Sequence, residues 1–243
     1  MKENKYDNLS FFNQYKKMLR SQKGLEGAGE WHTLQKMLPD FTGKTVLDLG
    51  CGFGWHCRYA IENGAQSVVG IDLSEKMLEK AKEINHLKGI EYERKALEDV
   101  IFPAEKFDII LSSLTFHYIE SFDLMAQNIY QWLKPNGHFV FSVEHPVFTA
   151  QGSQDWTYAE DGEKLHWPVD NYFAEGKRNT HFLGEDIVKY HRTLTTYINS
   201  LLRQGFTIKE VIEPQPNDSM LEKFSEMKDE LRRPMMLLIS AEK

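Results

Sequence analysis

Residues 45–56, Thr-Val-Leu-Asp-Leu-Gly-Cys-Gly-Phe-Gly-Trp-His, constrain the fold of this chain more than any other stretch. A short apolar run ends in Gly50, Gly52 and Gly54, spaced two apart. Lacking a Cβ, glycine takes positive φ angles and lets a ligand approach the backbone, so the pattern predicts a buried strand turning tightly into a helix beside a bound molecule. A second apolar run, residues 67–71, ends in Asp72, twenty residues after Gly52. A carboxylate at that place accepts hydrogen bonds from ribose hydroxyls, and the two signals together imply an adenosine-bearing ligand.

Four segments then carry a family resemblance. Val46-Leu47-Asp48-Leu49-Gly50-Cys51-Gly52-Phe53-Gly54 resembles the first motif of class I S-adenosylmethionine-dependent methyltransferases, and Val69-Gly70-Ile71-Asp72-Leu73-Ser74 resembles their second. Residues 106–113, Lys-Phe-Asp-Ile-Ile-Leu-Ser-Ser, are similar to the motif of their fourth strand, and residues 133–141 to their turn and fifth strand. The resemblance covers about residues 42–146, continues more weakly to the C-terminus, and is closest to the small-molecule, type 11-like branch.

The resemblance implies a Rossmann-like, doubly wound α/β fold, with a mostly parallel seven-stranded sheet and an antiparallel last strand. It implies S-adenosyl-L-methionine as cofactor, with Asp48, Gly50, Cys51, Gly52 and Asp72 beside it. In that family an N-terminal segment folds over the cofactor, and Tyr15 and Arg20 are the candidates to reach its methionine carboxylate. Leu73 and Met77, at a helix start, are candidates to flank the adenine. Residues 95–100 resemble the loop that reads the adenine amino group. Many relatives carry Asp where Ala96 stands, so that contact falls to the backbone near Leu97, to Glu98, or to neither.

A chain of 243 residues is long enough for one domain with a well-buried core, and residues 1–243 are read as one. Its 29 basic and 36 acidic residues leave a net charge of −7, with no cation excess to neutralise a phosphate backbone, which argues against a nucleic-acid substrate. Cys51 and Cys57 do not form a disulfide framework of the secreted kind and suit a cytoplasmic protein. Residues 1–7 carry no apolar segment of signal-peptide type, and no run of about 18 apolar residues occurs, so no membrane association is expected. A monomer or a homodimer is expected.

Helical spacing over residues 8–38, interrupted by Gly24, Gly27 and Gly29, predicts a helical cap over residues 1–40, with Leu25 and Trp31 as candidate walls of a substrate pocket. Phe107 to Ser113 is nearly all apolar, as a central strand buried on both faces requires. Its end, from Ser112 onward, falls at the crevice outside the strand tips, where the transferred methyl is expected. Residues 147–190 interleave Trp156, Tyr158, His166, Trp167, Tyr172, Phe173, His181 and Phe182 with acidic residues and glycines, and read as an inserted lid; an ordinary packed hairpin is the alternative. The third and fifth strands are expected over 90–94 and 139–143, and a helix over 190–203 with strands over 206–212 and 235–241 completes the chain.

The sulfonium of S-adenosylmethionine already activates its methyl, so placement of the acceptor is the main requirement and a catalytic residue need not exist. Where the acceptor must lose a proton, a histidine at the crevice suits neutral pH. His145 is the first candidate, at the end of the fifth strand, with His117 and His191 beside it in rank. No Cys-x-x-Cys pair or His-x-x-x-His helix face occurs, so no metal is expected. The end of the fourth strand also lacks the Asn/Asp-Pro-Pro-Tyr tetrapeptide of nucleic-acid amino methyltransferases, which favours a small organic acceptor. Two rivals remain: a nicotinamide-dependent oxidoreductase, disfavoured because Gly50-x-Gly52-x-Gly54 differs from Gly-x-Gly-x-x-Gly, and a protein that binds the cofactor without transferring anything.

Overall fold

Asn8 opens helix α1 (Leu9–Tyr15), because its side-chain oxygen accepts from the amides of Ser10 and Phe11, which have no partner inside the helix. The computed structural model describes residues 4–243, with the side chain of residue 226 excepted. Residues 1–3, part of the expected cap and of the segment inspected for a leader, lie outside it. Helices α2 (Leu19–Gln22) and α3 (Trp31–Met37) follow, so the helical stretch read over 8–38 is broken into short pieces around a 3-10 turn at Gly24–Gly27.

The central unit then alternates strand and helix: β1 (Thr45–Leu49), α4 (Trp55–Glu62), β2 (Ser67–Asp72), α5 (Glu75–Ile84), β3 (Ile90–Arg94), β4 (Phe107–Ser113), α6 (Phe122–Trp132) and β5 (Leu133–Glu144). β3 and β4 have the bounds that their apolar patterns predict. β5 is longer than the expected 139–143, because the turn at Lys134–Gly137 is absorbed into a register shift against β4.

Beyond β5 come α7 (Pro146–Thr149), the short hairpin β6 (Thr157–Tyr158) and β7 (Lys164–His166), and the longer hairpin β8 (Gly176–Phe182) and β9 (Glu185–His191). α8 (Leu194–Gln204), β10 (Thr207–Ile212), α9 (Asp218–Lys223) and β11 (Met236–Glu242) close the chain. The helix expected from residue 190 starts at Leu194 instead. Tyr190 and His191 belong to β9, and Thr193 caps α8 by accepting from the Thr196 amide.

The main sheet has seven strands in the order β10-β11-β5-β4-β1-β2-β3. β1 pairs in parallel with β2 and β4, whereas β11 runs antiparallel to both β5 and β10. The fold is therefore the Rossmann-like, doubly wound sheet with an antiparallel last strand. One face carries a core of Leu47, Ile71, Phe107, Phe139 and Phe141 under α6 and α8; the other packs Val46, Val68 and Ile109 under α3, α4 and α5. With both faces covered, the ligand-accessible edge is the row of strand tips.

Asp7 ties the N-terminal segment to this unit by accepting from the Ser74 hydroxyl at 2.6 Å and from the Lys76 amide at 3.1 Å. On the opposite side, the Arg192 guanidinium donates to the carbonyls of Phe116, Ile119 and Glu120, and so holds the turn after β4. No helix among the described residues is long and apolar enough to cross a membrane. None of their His, Cys, Asp and Glu side chains cluster in a way that would hold a metal.

Candidate functional site

The turn after β1 is shaped by two glycines with different tasks. Gly50 has φ +77°, and a Cβ there would lie 2.2 Å from Thr115 Oγ1, so a glycine is required where the Thr115 side chain packs against this turn. Gly52 has φ +53°, but a Cβ there would meet nothing within 4 Å, so its open side faces a cavity. The Gly52 amide donates to Asp72 Oδ2 at 2.9 Å, and the Ser74 amide donates to Oδ1 at 2.8 Å. These bonds fix the carboxylate at the tip of β2. Burial nevertheless dominates and pushes its pKa up to about 6.

The cavity measures about 520 Å³ and runs over the tips of the strands. At the end near β2 and β3, Gly50, Gly52, Asp72, Leu73 and Met77 line it, with Leu97 and Glu98 beyond. Tyr15 and Arg20 reach it from the N-terminal segment, and His117 from the turn after β4. These expected site residues are thus brought together.

Five others are not. Asp48, 1% exposed, points under α4, where the Cys57 thiol donates to its Oδ2 at 3.3 Å; burial pushes its pKa up to about 7. The Cys51 thiol is buried with it, which raises its pKa to about 11. Ser112 turns inward and donates to the Leu49 carbonyl at 2.8 Å; strand alternation gives the cavity Ser113 instead. His145 caps α7, its Nδ1 accepting from the Val147 amide at 3.0 Å, while its Nε2 lies 2.8 Å from Glu213. His191 spends both ring nitrogens on Thr149 Oγ1 and the Tyr172 carbonyl, each at 2.8 Å. Leu25 and Trp31, expected to wall the pocket, pack into the core beside α4.

His117 reaches the cavity, and its hydrogen bonding sets which ring nitrogen carries the proton. Its Nδ1 accepts from the Glu144 amide at 3.3 Å, so in the neutral ring the proton sits on Nε2. Burial lowers its pKa to about 4, and the imidazole therefore presents a donor at neutral pH.

Sequence reasoning missed Glu30. It is 1% exposed, lines the cavity, and pairs with Arg20 Nη2 at 2.5 Å and the Ser113 hydroxyl at 3.2 Å through Oε1. Burial opposes its ionisation, but the Arg20 guanidinium outweighs it and holds the carboxyl below its usual pKa. Oε2 of Glu30 has no hydrogen-bond partner among the described residues. Glu144, adjacent to the favoured His145, was missed as well; Pro146 at the first helical position was the signal that His145 is a cap. Phe182 of the 147–190 segment meets the cavity, whereas Trp167 stacks on Phe148 and lies 4.3 Å from the Arg233 guanidinium.

Comparison with known proteins agrees with this geometry. Residues 47–141 match the family described as a methyltransferase domain. An uncharacterized protein of Haemophilus influenzae is 36% identical over 245 residues, covering 98% of this chain and 96% of its own. The crystal structure of an S-adenosylmethionine-dependent methyltransferase from Mesorhizobium loti is 45% identical, with TM-score 0.84, over 90% of this chain and 100% of that one. This chain belongs to the class I S-adenosylmethionine-dependent methyltransferases. A Listeria monocytogenes structure provisionally described in the same way is 60% identical, with TM-score 0.86, over 90% of the methyltransferase and 99% of that chain.

S-adenosylmethionine is the methyltransferase's cofactor. Two features fit it: the open face of Gly52 and the carboxylate at Asp72. The methyltransferase spans 24–42% of the lengths of the characterised relatives that it matches, phosphoethanolamine, protein arginine and fatty-acid methyltransferases among them.

Proposed function

We propose that this enzyme methylates a small organic acceptor inside the cavity over the strand tips, and that it does so in the cytoplasm. The observation that carries this reading is the cover on that cavity. Tyr6 and Tyr15 line it from the N-terminal segment, Phe182 and Ile187 from the β8–β9 hairpin, and Met220 from α9. The reading makes residues 1–40 a cap and residues 147–190 a lid on a single domain, and a space so covered suits a small molecule better than a polypeptide or a duplex.

In this reading the Asp72 carboxylate takes the ribose hydroxyls, and Leu73 and Met77 flank the adenine, whose edge faces Leu97 and Glu98. Gly50 and Gly52 admit the cofactor's chain to the backbone. Arg20 takes the methionine carboxylate, its guanidinium held on the cavity wall by the ion pair with Glu30. When bound, the cofactor supplies an activated methyl on a sulfonium. The chain's own task is to exclude water and to aim the acceptor.

The test is to incubate the protein with methyl-labelled S-adenosylmethionine and a cell extract, then separate low-mass compounds from macromolecules. Label in the low-mass fraction is expected. Label confined to protein or nucleic acid would overturn the reading.

A further inference from the structure

We propose that the acceptor is a largely apolar molecule that presents a neutral hydroxyl or an amine and carries no phosphate or carboxylate. The proposal rests on the reading of the enzyme as a small-molecule methyltransferase and narrows its substrate class.

The part of the cavity above β4, β5 and β11 is the end away from Asp72. Its wall is apolar and rich in methionine: Met220, Met227, Met235 and Met236, with Pro214 and Ile187. Thioether side chains are flexible and polarisable, and suit an irregular apolar ligand. The polar lining of this end includes Gln215 and Glu230 as well as groups from the strand tips. Met236 is in register with Glu144, which lines the cavity beside His117.

Glu144 is held in place from behind. Lys189 Nζ lies 2.6 Å from Oε1, and Gln154 Nε2 donates to Oε2 at 2.9 Å. Lys189 is 3% exposed and also donates to Gln154 Oε1 at 2.8 Å, so its charge is spent on this array rather than on a ligand. His117, with its proton on Nε2, adds a donor whose nitrogen is 4.0 Å from Glu144 Oε1. A hydroxyl can donate to the carboxylate and accept from the imidazole at once, and an amine, protonated at neutral pH, can donate to the carboxylate.

An anion finds the opposite situation. The cations on the cavity wall are already matched: Arg20 by Glu30 at 2.5 Å and Lys5 by Glu185 at 3.7 Å. Arg233, behind the methionine wall, is held by Glu230 at 2.6 Å. Glu30, Asp72, Glu144 and Glu230 all line the cavity. With the cofactor's own carboxylate on Arg20, a second anion entering at the acceptor end would lose its hydration beside Glu144, while Lys5 and Lys189 are already in ion pairs.

Calorimetry separates the two levels of the reading. Titration with S-adenosylhomocysteine alone tests the cofactor site, and its failure to bind would sink the methyltransferase reading itself. With that ligand saturating, four probes on one skeleton are titrated: 4-phenylbutylamine, 4-phenylbutanol, 4-phenylbutyrate and 4-phenylbutyl phosphate. The amine and alcohol are expected to bind, with both anions weaker by about ten-fold or more. Glu144→Gln is expected to abolish the amine's advantage over the anions while the S-adenosylhomocysteine affinity stays as in the parent. An anion that binds as tightly as the amine, or no saturable binding by any of the four, overturns the proposal. The parent series alone decides it should the variant not fold.

Discussion

The Ser74 hydroxyl donates a 2.6 Å hydrogen bond to Asp7, and through it the N-terminal segment is clamped to the first turn of α5, which borders the cavity at Met77. Asp7 also accepts from the amides of Glu75 and Lys76, so one carboxylate from a distant segment satisfies donors that the helix itself leaves open. Burial works against its charge, yet these bonds and the nearby Arg94 hold its pKa below the ordinary carboxylate value. Asp7→Ala is expected to cost about 1 kcal/mol of stability, the scale of a lost helix cap. It should also expose the N-terminal segment to limited proteolysis. Because the pKa is depressed, the contact is present above the unfolded value of about 4 and is lost as pH falls below it. Unchanged cleavage at pH 7 would show that the clamp does not hold the segment.

Asp72 behaves in the opposite sense. Its folded pKa of about 6 lies above the unfolded value, so the fold without ligand loses stability as pH rises from about 4 to about 6. Ribose hydroxyls need the ionised form as acceptor. S-adenosylhomocysteine affinity is therefore expected to fall as pH drops through about 6, and Asp72→Ala to weaken it by about 1.5–3 kcal/mol at pH 8. Calorimetry at pH 5 and pH 8 on both proteins checks this.

Asp48 provides a separate pH effect. It is buried with a pKa of about 7, far above the unfolded value, so its ionisation destabilises the fold at alkaline pH. Asp48→Asn is expected to raise the melting temperature relative to the parent at pH 8, by an amount worth a few kcal/mol at most, with the gap narrowing as pH falls toward about 4. Equal shifts at both pH values would exclude a titrating carboxyl as the cause.

The two glycines of the turn should separate folding from binding. Gly50→Ala forces a Cβ to 2.2 Å from Thr115 at positive φ, and a loss of several kcal/mol is expected. Gly52→Ala meets nothing within 4 Å, so its fold should lose only about 1 kcal/mol for the left-handed backbone. Its new methyl enters the cavity, and S-adenosylhomocysteine affinity is expected to drop more than stability does. Thermal melts with calorimetry on the pair give both numbers.

His145 should prove a structural residue. Removing the cap in His145→Ala is expected to cost about 1 kcal/mol and to leave S-adenosylhomocysteine affinity as it was. A drop in affinity without a loss of stability would place the ring at the ligand after all.

Contiguous signals were read well. The apolar run into three glycines, the β2 run into Asp72, and the bounds of β3 and β4 are visible because each depends on neighbours a few residues away. Facing was harder. Ser112 and Ser113 both sit at the tip of β4, and only the pleat decides that the first bonds Leu49 while the second meets Glu30. The three histidines looked alike in the chain, yet Pro146 makes His145 a cap and Tyr172 occupies His191.

The sequence by itself determined the sheet, the sharp turn after β1 and the carboxylate twenty residues on, since periodicity and glycine stereochemistry act locally. Which charges line the cavity follows from contacts between distant segments. Arg20 meets Glu30 and Glu144 meets Lys189 across loops whose closure no local rule encodes, and burial of those pairs sets which charges remain available to a ligand.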